Sequence, residues 1–247
     1  MAKSTLTLIG GGKTFIGPAD GTGPMRYLGD ISKVELTVSE DKKTLANFTT
    51  PGGGVADSIT LIKEVTLAIT AQSFDVENLA LATFGETGDI ASGSITDESH
   101  LAYKGGYIRT ANGGVGLSGV VVKKGVTTLV AGTDYEVLGG GIRILPTTSA
   151  MSNGDTITLD YDYGAARSVE AILNAGKDYS ISFDGFNQAN DSTPVVLDVW
   201  RVRNAPTAVS LVGDNFGNLE FKFDVLMDAS KTGAGTSKFF RLVQVEV

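Results

Sequence analysis

Cysteine is absent from the 247-residue chain, which excludes disulfide bonds, thiol nucleophiles and thiolate metal sites. Histidine and tryptophan occur once each, and proline occurs six times. No apolar run approaches the roughly 20 residues that span a bilayer, and the first residues lack the apolar core of a signal peptide. We therefore expect a protein without a membrane anchor that assembles in the cytoplasm.

Positive charge is also scarce. The chain has 20 Lys and Arg residues against 28 Asp and Glu residues, which gives a net charge of −8. Tight binding to nucleic acid requires cations that neutralise phosphates. The charge balance therefore argues against a protein that binds DNA tightly, although such a chain could still lie beside DNA without binding it.

Glycine, in contrast, is abundant, with 32 residues. Short alternating segments between glycine-rich turns predict an all-β fold. One short helix is predicted after Asp75, whose side chain can cap the N-terminus of the helix in "SFDVENLALATFGE".

Two alternating segments, residues 31–39 and 57–70, predict a pair of strands with a long glycine-rich connection over residues 40–56. A connection of this length is unusual in a compact domain and indicates a function. Alternation gives each strand an apolar face and a polar face. The polar face is predicted to comprise Lys33, Glu35, Thr37, Ser39, Ser58, Thr60, Glu64, Thr66 and Thr70.

Residues 91–165 have the pattern of a separate small β domain, with short strands in "GVVVKKG", "DYEVLGGGIRILP" and "GDTITLDYDYG". Strands return in the last third of the chain, where "LEFKFDV" alternates strictly. We therefore predict a discontinuous core domain of residues 1–90 and 166–247, with residues 91–165 inserted into it.

Catalytic motifs are weak. "GGGKT" at residues 10–14 lacks the first glycine of a phosphate-binding loop, because position 7 is Thr7. His100 has no companions for a zinc site or a catalytic triad, and we expect it in an exposed turn. Asp160 and Asp162 share a strand face, where they could serve glycoside hydrolysis or calcium binding, or simply meet solvent. We predict a protein that is not an enzyme and has no catalytic, cofactor or metal site.

The order of features resembles the major tail tube protein of long-tailed bacteriophages. The resemblance is carried by "YLGDISKVELTVSED", by "DSITLIKEVTLAITAQSFDVENLALATFGE" and by "YSISFDGFNQANDSTPVVLDVWRVRNAPTAVSLVGDNFGNLEFKFDVLMDAS". It covers about residues 25–90 and 178–247 and depends on the ordered combination rather than on one motif.

The resemblance implies a β-sandwich or barrel-like tail tube fold with one short α-helix. Such subunits form hexameric rings that stack into a hollow tube for DNA passage. The implied location is the virion tail, assembled in the host cytoplasm. The implied partners are other copies of the chain, the tape measure, tail terminator and baseplate or tip proteins, and DNA that passes without specific binding.

For individual residues, the resemblance implies that the polar face lines the lumen and that the 40–56 connection contacts the adjacent ring. We also expect residues 1–24 to form an arm that becomes ordered on a neighbouring subunit, and residues 91–165 to project outward from a sheathless tail. The expected inter-ring contacts are Leu6, Leu8, Phe15, Leu45, Phe48 and Val55.

Two alternatives stay open. One is a surface- or carbohydrate-binding β module that uses residues 91–165 as its site. The other is the tube subunit of a contractile injection or secretion system, because related folds serve there.

Overall fold

The computed structural model of the chain confirms an all-β fold with one short helix, α1 (Val76–Ala82). Two compact units are present, the first comprising Met1–Glu86 and Glu170–Val247 and the second Thr87–Val169. The boundaries predicted from sequence, at 90/91 and 165/166, lie four residues from these. The structure describes residues 10–49, 53–111, 115–174, 176–189, 192–214 and 216–245.

The strands of the first unit form one eight-stranded sheet. They are β1 (Gly10–Pro18), β2 (Arg26–Tyr27), β3 (Ile31–Ala46), β4 (Val55–Ala71), β14 (Asp178–Asn187), β15 (Thr193–Asn204), β16 (Leu219–Val225) and β17 (Phe240–Gln244). The spatial order is β2-β1-β14-β15-β16-β4-β3, and β17 also pairs with β15. All of these pairings are antiparallel.

The sheet divides at β15, because β17 pairs with its first half and β16 with its end. The two branches share one apolar core. In β16 the strict alternation of the sequence is realised, since Leu219, Phe221, Phe223 and Val225 are buried and the residues between them are exposed. Burial of these large side chains contributes to the stability of the first unit.

The glycines near the N-terminus belong to a strand. Gly10–Pro18 pairs with β14 over nine residues, so the prediction that this segment is an arm ordered only on assembly is wrong for the residues that the structure describes. Gly12 lies opposite Gly185, and a Cβ atom on Gly12 would come within 2.5 Å of the Gly185 Cα and 2.9 Å of the Phe183 ring. Glycine is therefore required here by close approach and not by a turn.

The predicted long connection of residues 40–56 is also wrong in part. Strand β3 continues to Ala46 and β4 begins at Val55, so most of this segment is a two-stranded ribbon. A hydrogen bond of 2.8 Å from the Asn47 amide to the Gly54 carbonyl oxygen extends the ladder towards its end. Cross-strand hydrogen bonds and pairing override the low strand propensity of the charged residues in "EDKK".

Helix α1 begins as predicted, because the Asp75 side chain accepts a hydrogen bond of 2.6 Å from the Asn78 amide. Asn78 is fully buried, and its side chain accepts from Arg26 at 2.8 Å and donates to the Leu28 carbonyl at 2.9 Å. These bonds attach the helix to the sheet. Within the described ranges, no helix has the length and apolarity needed to cross a membrane.

The second unit is built from short strands around its own apolar core. Its strands are β6 (Gly93–Ala102), β7 (Tyr107–Arg109), β8 (Ser118–Lys124), β9 (Thr127–Thr128), β10 (Tyr135–Leu138), β11 (Gly141–Ile144) and β12 (Asp155–Tyr163). They form a four-stranded sheet, β6-β12-β8-β9, and a three-stranded sheet, β10-β11-β7. A further pair, β5 (Glu86–Ile90) with β13 (Ala166–Glu170), stands at the two ends of the inserted segment in sequence.

Candidate functional site: a polar sheet face and a projecting hairpin

The polar residues of β3 and β4 come together on one face of the sheet. Lys33 lies opposite Thr70, Thr37 opposite Thr66, and Ser39 opposite Glu64. Because directly paired residues of two strands share a face, seven of the nine residues predicted for this face lie side by side. They are Lys33, Glu35, Thr37, Ser39, Glu64, Thr66 and Thr70.

Strand β16 adds a third row that sequence reasoning did not assign to this face. Its exposed residues Glu220, Lys222 and Asp224 pair with Thr70, Ala68 and Thr66 of β4. The alternation in "LEFKFDV" marked these residues as solvent-facing, but nothing local in the sequence indicates which strand they pair with. We call the combined surface of β3, β4 and β16 the polar face.

The polar face is acidic. Lys33 Nζ lies 2.5 Å from Glu35 Oε2, and this hydrogen bond raises the pKa of Lys33 above its ordinary value. Both side chains are exposed, so the pair contributes little to stability. The polar face carries two lysines, Lys33 and Lys222, and four carboxylates, Glu35, Glu64, Glu220 and Asp224. Its net charge is therefore −2.

An irregularity in the ladder ends the polar face. Ser39 pairs with Glu64, whereas the next residue, Glu40, pairs with Ile62, so Lys63 is an extra residue in β4. Such a β-bulge changes which alternate residues of the bulged strand point to a given side. The side-chain alternation of β4 therefore reverses at this point relative to β3.

This reversal corrects the placement of Ser58 and Thr60. Thr60 lies opposite Lys42 and Ser58 opposite Thr44. Lys42 and Thr44 alternate with Ser39 along β3, so they point to the other side of the hairpin. Ser58 and Thr60 consequently do not share the face of Lys33 and its neighbours, although a continuous alternation in the sequence predicts that they do.

Beyond the bulge, the hairpin runs on without support from the rest of the unit. Strand β16 accompanies β4 only from Ala71 to Thr66, and in the described residues no strand pairs with the second edge of β3. All residues of β4 from Val55 to Glu64 are exposed. We call residues 40–49 and 53–62 the distal ribbon.

The distal ribbon carries large apolar side chains in contact with solvent. Ile59 and Leu61 are on one face and Ile62 is on the other, and all three are at least half exposed. At its end, the exposed fractions are 63% for Leu45, 90% for Phe48 and 64% for Val55. We call Leu45, Phe48 and Val55 the hairpin tip.

The other predicted contact residues have different positions. Phe15 is half-buried in β1, and its ring centroid lies 5.8 Å from that of Tyr27 in the same chain. Part of its apolar surface therefore packs within the subunit, and its role as an inter-ring contact stays a prediction. Leu6 and Leu8 lie outside the described residues.

An apolar cleft of about 490 Å³ opens between β3 and the other branch of the sheet. Its lining includes Val34, Phe183, Leu197 and Leu242, and Lys33 is the only charged residue among the described residues that line it. Ligand sites usually combine apolar walls with several convergent polar groups. This cleft has apolar walls and few polar side chains that could orient a ligand.

The single histidine lies on β6 and not in a turn, which corrects the prediction for it. His100 Nε2 is 2.5 Å from Glu98 Oε1, and the other carboxylate oxygen of Glu98 accepts from the Tyr161 hydroxyl. Burial alone would raise the pKa of Glu98, but hydrogen bonds from Tyr161, His100 and Ala111 outweigh it and lower this pKa. Burial and the bond to Glu98 raise the pKa of Tyr161 to about 12.

The paired aspartates of β12 are occupied by separate partners. Asp160 accepts from Lys123 Nζ at 2.6 Å and from the Asp97 amide at 2.8 Å, whereas Asp162 accepts from the Ser94 hydroxyl at 2.5 Å. Across the part of the chain that the structure describes, no three acidic or histidine side chains gather as metal ligands would. These contacts are typical of a hydrogen-bonded strand face.

The family model described as "Protein of unknown function UCP028589" matches residues 7–243. The chain therefore belongs to this family. No curated protein matches the chain at a significant level.

Proposed function

We propose that this member of a protein family of unknown function is the structural subunit of a bacteriophage tail tube. It would assemble into stacked hexameric rings that form the channel for DNA passage. The observation that carries the proposal is the β3–β4 hairpin, which combines an acidic polar face at its base with an unsupported apolar ribbon and tip. The sequence resemblance supplies the class of assembly.

The distal ribbon supports the proposal that the protein assembles with itself. A two-stranded ribbon is marginally stable alone in water, and large apolar side chains exposed together mark an interaction site. Among the described residues, no strand pairs with either outer edge of the ribbon, and apolar side chains lie on both of its faces. A neighbouring copy would cover these surfaces, and pairing between subunits would remove the exposed edges.

The polar face suits the wall of a DNA channel. Its side chains are hydroxyls and charges, with twice as many carboxylates as cations. Because phosphate contacts from Lys and Arg dominate affinity for DNA, an acidic wall of this kind would not retain a duplex. Fast passage of DNA requires such weak interaction.

Electron microscopy of the purified protein in negative stain tests the proposal. We expect rings and tubes with a central channel at concentrations that permit growth. A protein that remains monomeric at every concentration tested would be inconsistent with a tube subunit and would favour the binding-module alternative. Tubes surrounded by a sheath in infected cells would favour the contractile alternative.

The position of the polar face is tested with DNA. Replacing the cross-strand partners Thr37 and Thr66 by lysine adds two cations per subunit at residues that point away from the core. Variant tubes assembled in the presence of linear DNA should retain it at low salt and protect it from nuclease, whereas wild-type tubes should retain little. A matched variant with lysine at exposed Thr127 should not protect DNA. DNA that binds the double variant but stays fully sensitive to nuclease would place this face outside the channel.

A further inference from the structure

A second exposed apolar cluster lies on the connection between β15 and β16. Within residues 205–217, the exposed fractions are 82% for Leu211, 92% for Val212 and 98% for Phe216. Phe74 lies beside them, because a Cβ atom on Gly217 would come within 2.9 Å of its ring. A shallow depression of about 380 Å³ is lined in part by Phe74, Leu211 and Phe216. We call Phe74, Leu211, Val212 and Phe216 the base patch.

The base patch and the hairpin tip lie at opposite ends of the same strand. Strand β4 begins at Val55 in the tip and ends at Ala71, which pairs with Leu219 at the start of β16. A strand of 17 residues spans roughly 55 Å at the usual rise per residue. The two apolar surfaces therefore cannot meet within one chain, and each is available to another molecule.

The two ends carry opposite charge. Residues 42–57 contain two lysines, Lys42 and Lys43, and one carboxylate, Asp57, which lies opposite Leu45 of the hairpin tip, so this end has a net charge of +1. Residues 72–77 and 205–217 contain three carboxylates, Asp75, Glu77 and Asp214, and no cation. Arg26 is close enough to Asp75 and Glu77 to interact with their charges, and the base end including Arg26 still has a net charge of −2.

We propose that the hairpin tip of one copy docks on the base patch of a second copy of this chain, head to tail. The inference deepens the proposed function and rests on it, since it names the receiving surface of the contact between rings. When a contact joins two different surfaces, one hairpin tip and one base patch remain exposed at the ends of the assembly after each subunit is added. Such an assembly does not close on itself and grows as a filament along the direction of the hairpin. Apolar surface drives this contact, and opposite charge selects its partner.

Charge also disfavours the symmetric alternatives. A tip-to-tip contact would bring together two ends with a net charge of +1, and a base-to-base contact would bring together two ends with a net charge of −2. Each of these contacts would use the same surface twice and would end growth at a closed pair. The head-to-tail arrangement brings the end of net positive charge against the end of net negative charge and leaves growth open.

Disulfide cross-linking tests the contact, because the natural chain has no cysteine and only engineered thiols can react. The variant with Phe48→Cys and Leu211→Cys should assemble under reducing conditions. After oxidation it should give a ladder of covalent dimers, trimers and longer species in denaturing electrophoresis. The control pairs Phe48→Cys with Val126→Cys, whose side chain is also fully exposed, and it should remain monomeric.

The single variants decide the orientation. Phe48→Cys alone and Leu211→Cys alone should give no cross-linked dimer, because a head-to-tail contact places neither residue against its own copy. A dimer from either single variant would show a symmetric contact and overturn the inference. If removal of the phenyl ring prevents assembly, the pair Thr49→Cys and Ser210→Cys, next to the same positions, replaces the first pair.

Failure of the inference and failure of the proposed function can be distinguished. Wild-type tubes in the microscope, with no ladder from either cysteine pair after oxidation of assembled variants, would overturn the tip-to-base contact and leave the tube function intact. A wild-type protein that forms no rings or tubes would overturn both. A ladder from the tip-to-base pairs, with monomer from the control, supports both.

Discussion

Replacement of Phe48 by serine separates assembly from folding. The side chain is 90% exposed, so almost none of its apolar surface is used within the subunit. Complete burial of a phenylalanine side chain is favourable by about 2 kcal/mol. If the ring is buried at a contact between copies, Phe48→Ser should weaken each contact by about 25-fold, because about 1.4 kcal/mol corresponds to a factor of ten.

The assay is the concentration of unassembled protein that remains in the supernatant after tubes are sedimented. This concentration should rise by about the same factor in the variant when each added subunit makes one tip contact. The free energy of unfolding should change by less than about 0.5 kcal/mol, as for other surface substitutions. Val126→Ser, which changes an equally exposed residue of the second unit, is the matched control and should alter neither quantity.

Two results would refute this reasoning. An unchanged concentration of unassembled Phe48→Ser protein would mean that the tip is not buried on assembly. A large loss of subunit stability in the variant would mean that Phe48 contributes to the fold, in contradiction to its exposure.

Three further predictions concern folding and the second unit. Gly12→Ala should destabilise the first unit by about 1–3 kcal/mol through overpacking, measured by denaturant unfolding. Gly10→Ala should have little effect, because nothing lies within 4 Å of the added atom; equal losses would contradict the proposed crowding. Glu98→Gln should lower the pKa of Tyr161 from about 12 towards its ordinary value of about 10, followed by phenolate absorbance, and an unchanged titration would show that burial alone sets it. Replacement of residues 91–165 by a short turn should leave a folded first unit that still assembles, because that unit has its own core; loss of folding by circular dichroism would show that the units are not independent.

The pH dependence of the second unit follows from the same carboxylate. The pKa of Glu98 is lowered in the folded state, so ionised Glu98 stabilises the fold above its ordinary pKa. This contribution is lost as the pH falls through the lowered value. Glu98→Gln should therefore flatten the acid side of the stability profile.

Much of the local structure could be predicted from the sequence. Alternation in β16 correctly indicated its buried and exposed residues, and Asp75 correctly indicated the start of α1. These features depend on neighbouring residues, and short-range patterns determine them. The buried residues of the helix, which include Asn78 and Leu81, could not be predicted in this way, because the surfaces that the helix packs against come from distant parts of the chain.

The candidate site was predictable only in part. Seven residues of the polar face follow from alternation, whereas Ser58 and Thr60 were misplaced by the bulge at Lys63. A bulge depends on the partner strand, and its position cannot be read from one strand alone. For the same reason the row contributed by β16 was missed, because pairing across more than 140 residues of chain, as between Ala71 and Leu219, is a tertiary choice.

The sequence by itself determined the all-β class, the single short helix and the two amphipathic strands of the hairpin, because side-chain alternation and capping act within a few residues. Tertiary structure alone decided that the glycines of β1 belong to a strand, where Gly12 meets Gly185, and that the ribbon continues past the core. It also decided that the apolar tip and base patch lie at opposite ends of one hairpin. These outcomes depend on which distant segments pair and how closely they approach, and long-range hydrogen bonding and packing settle both.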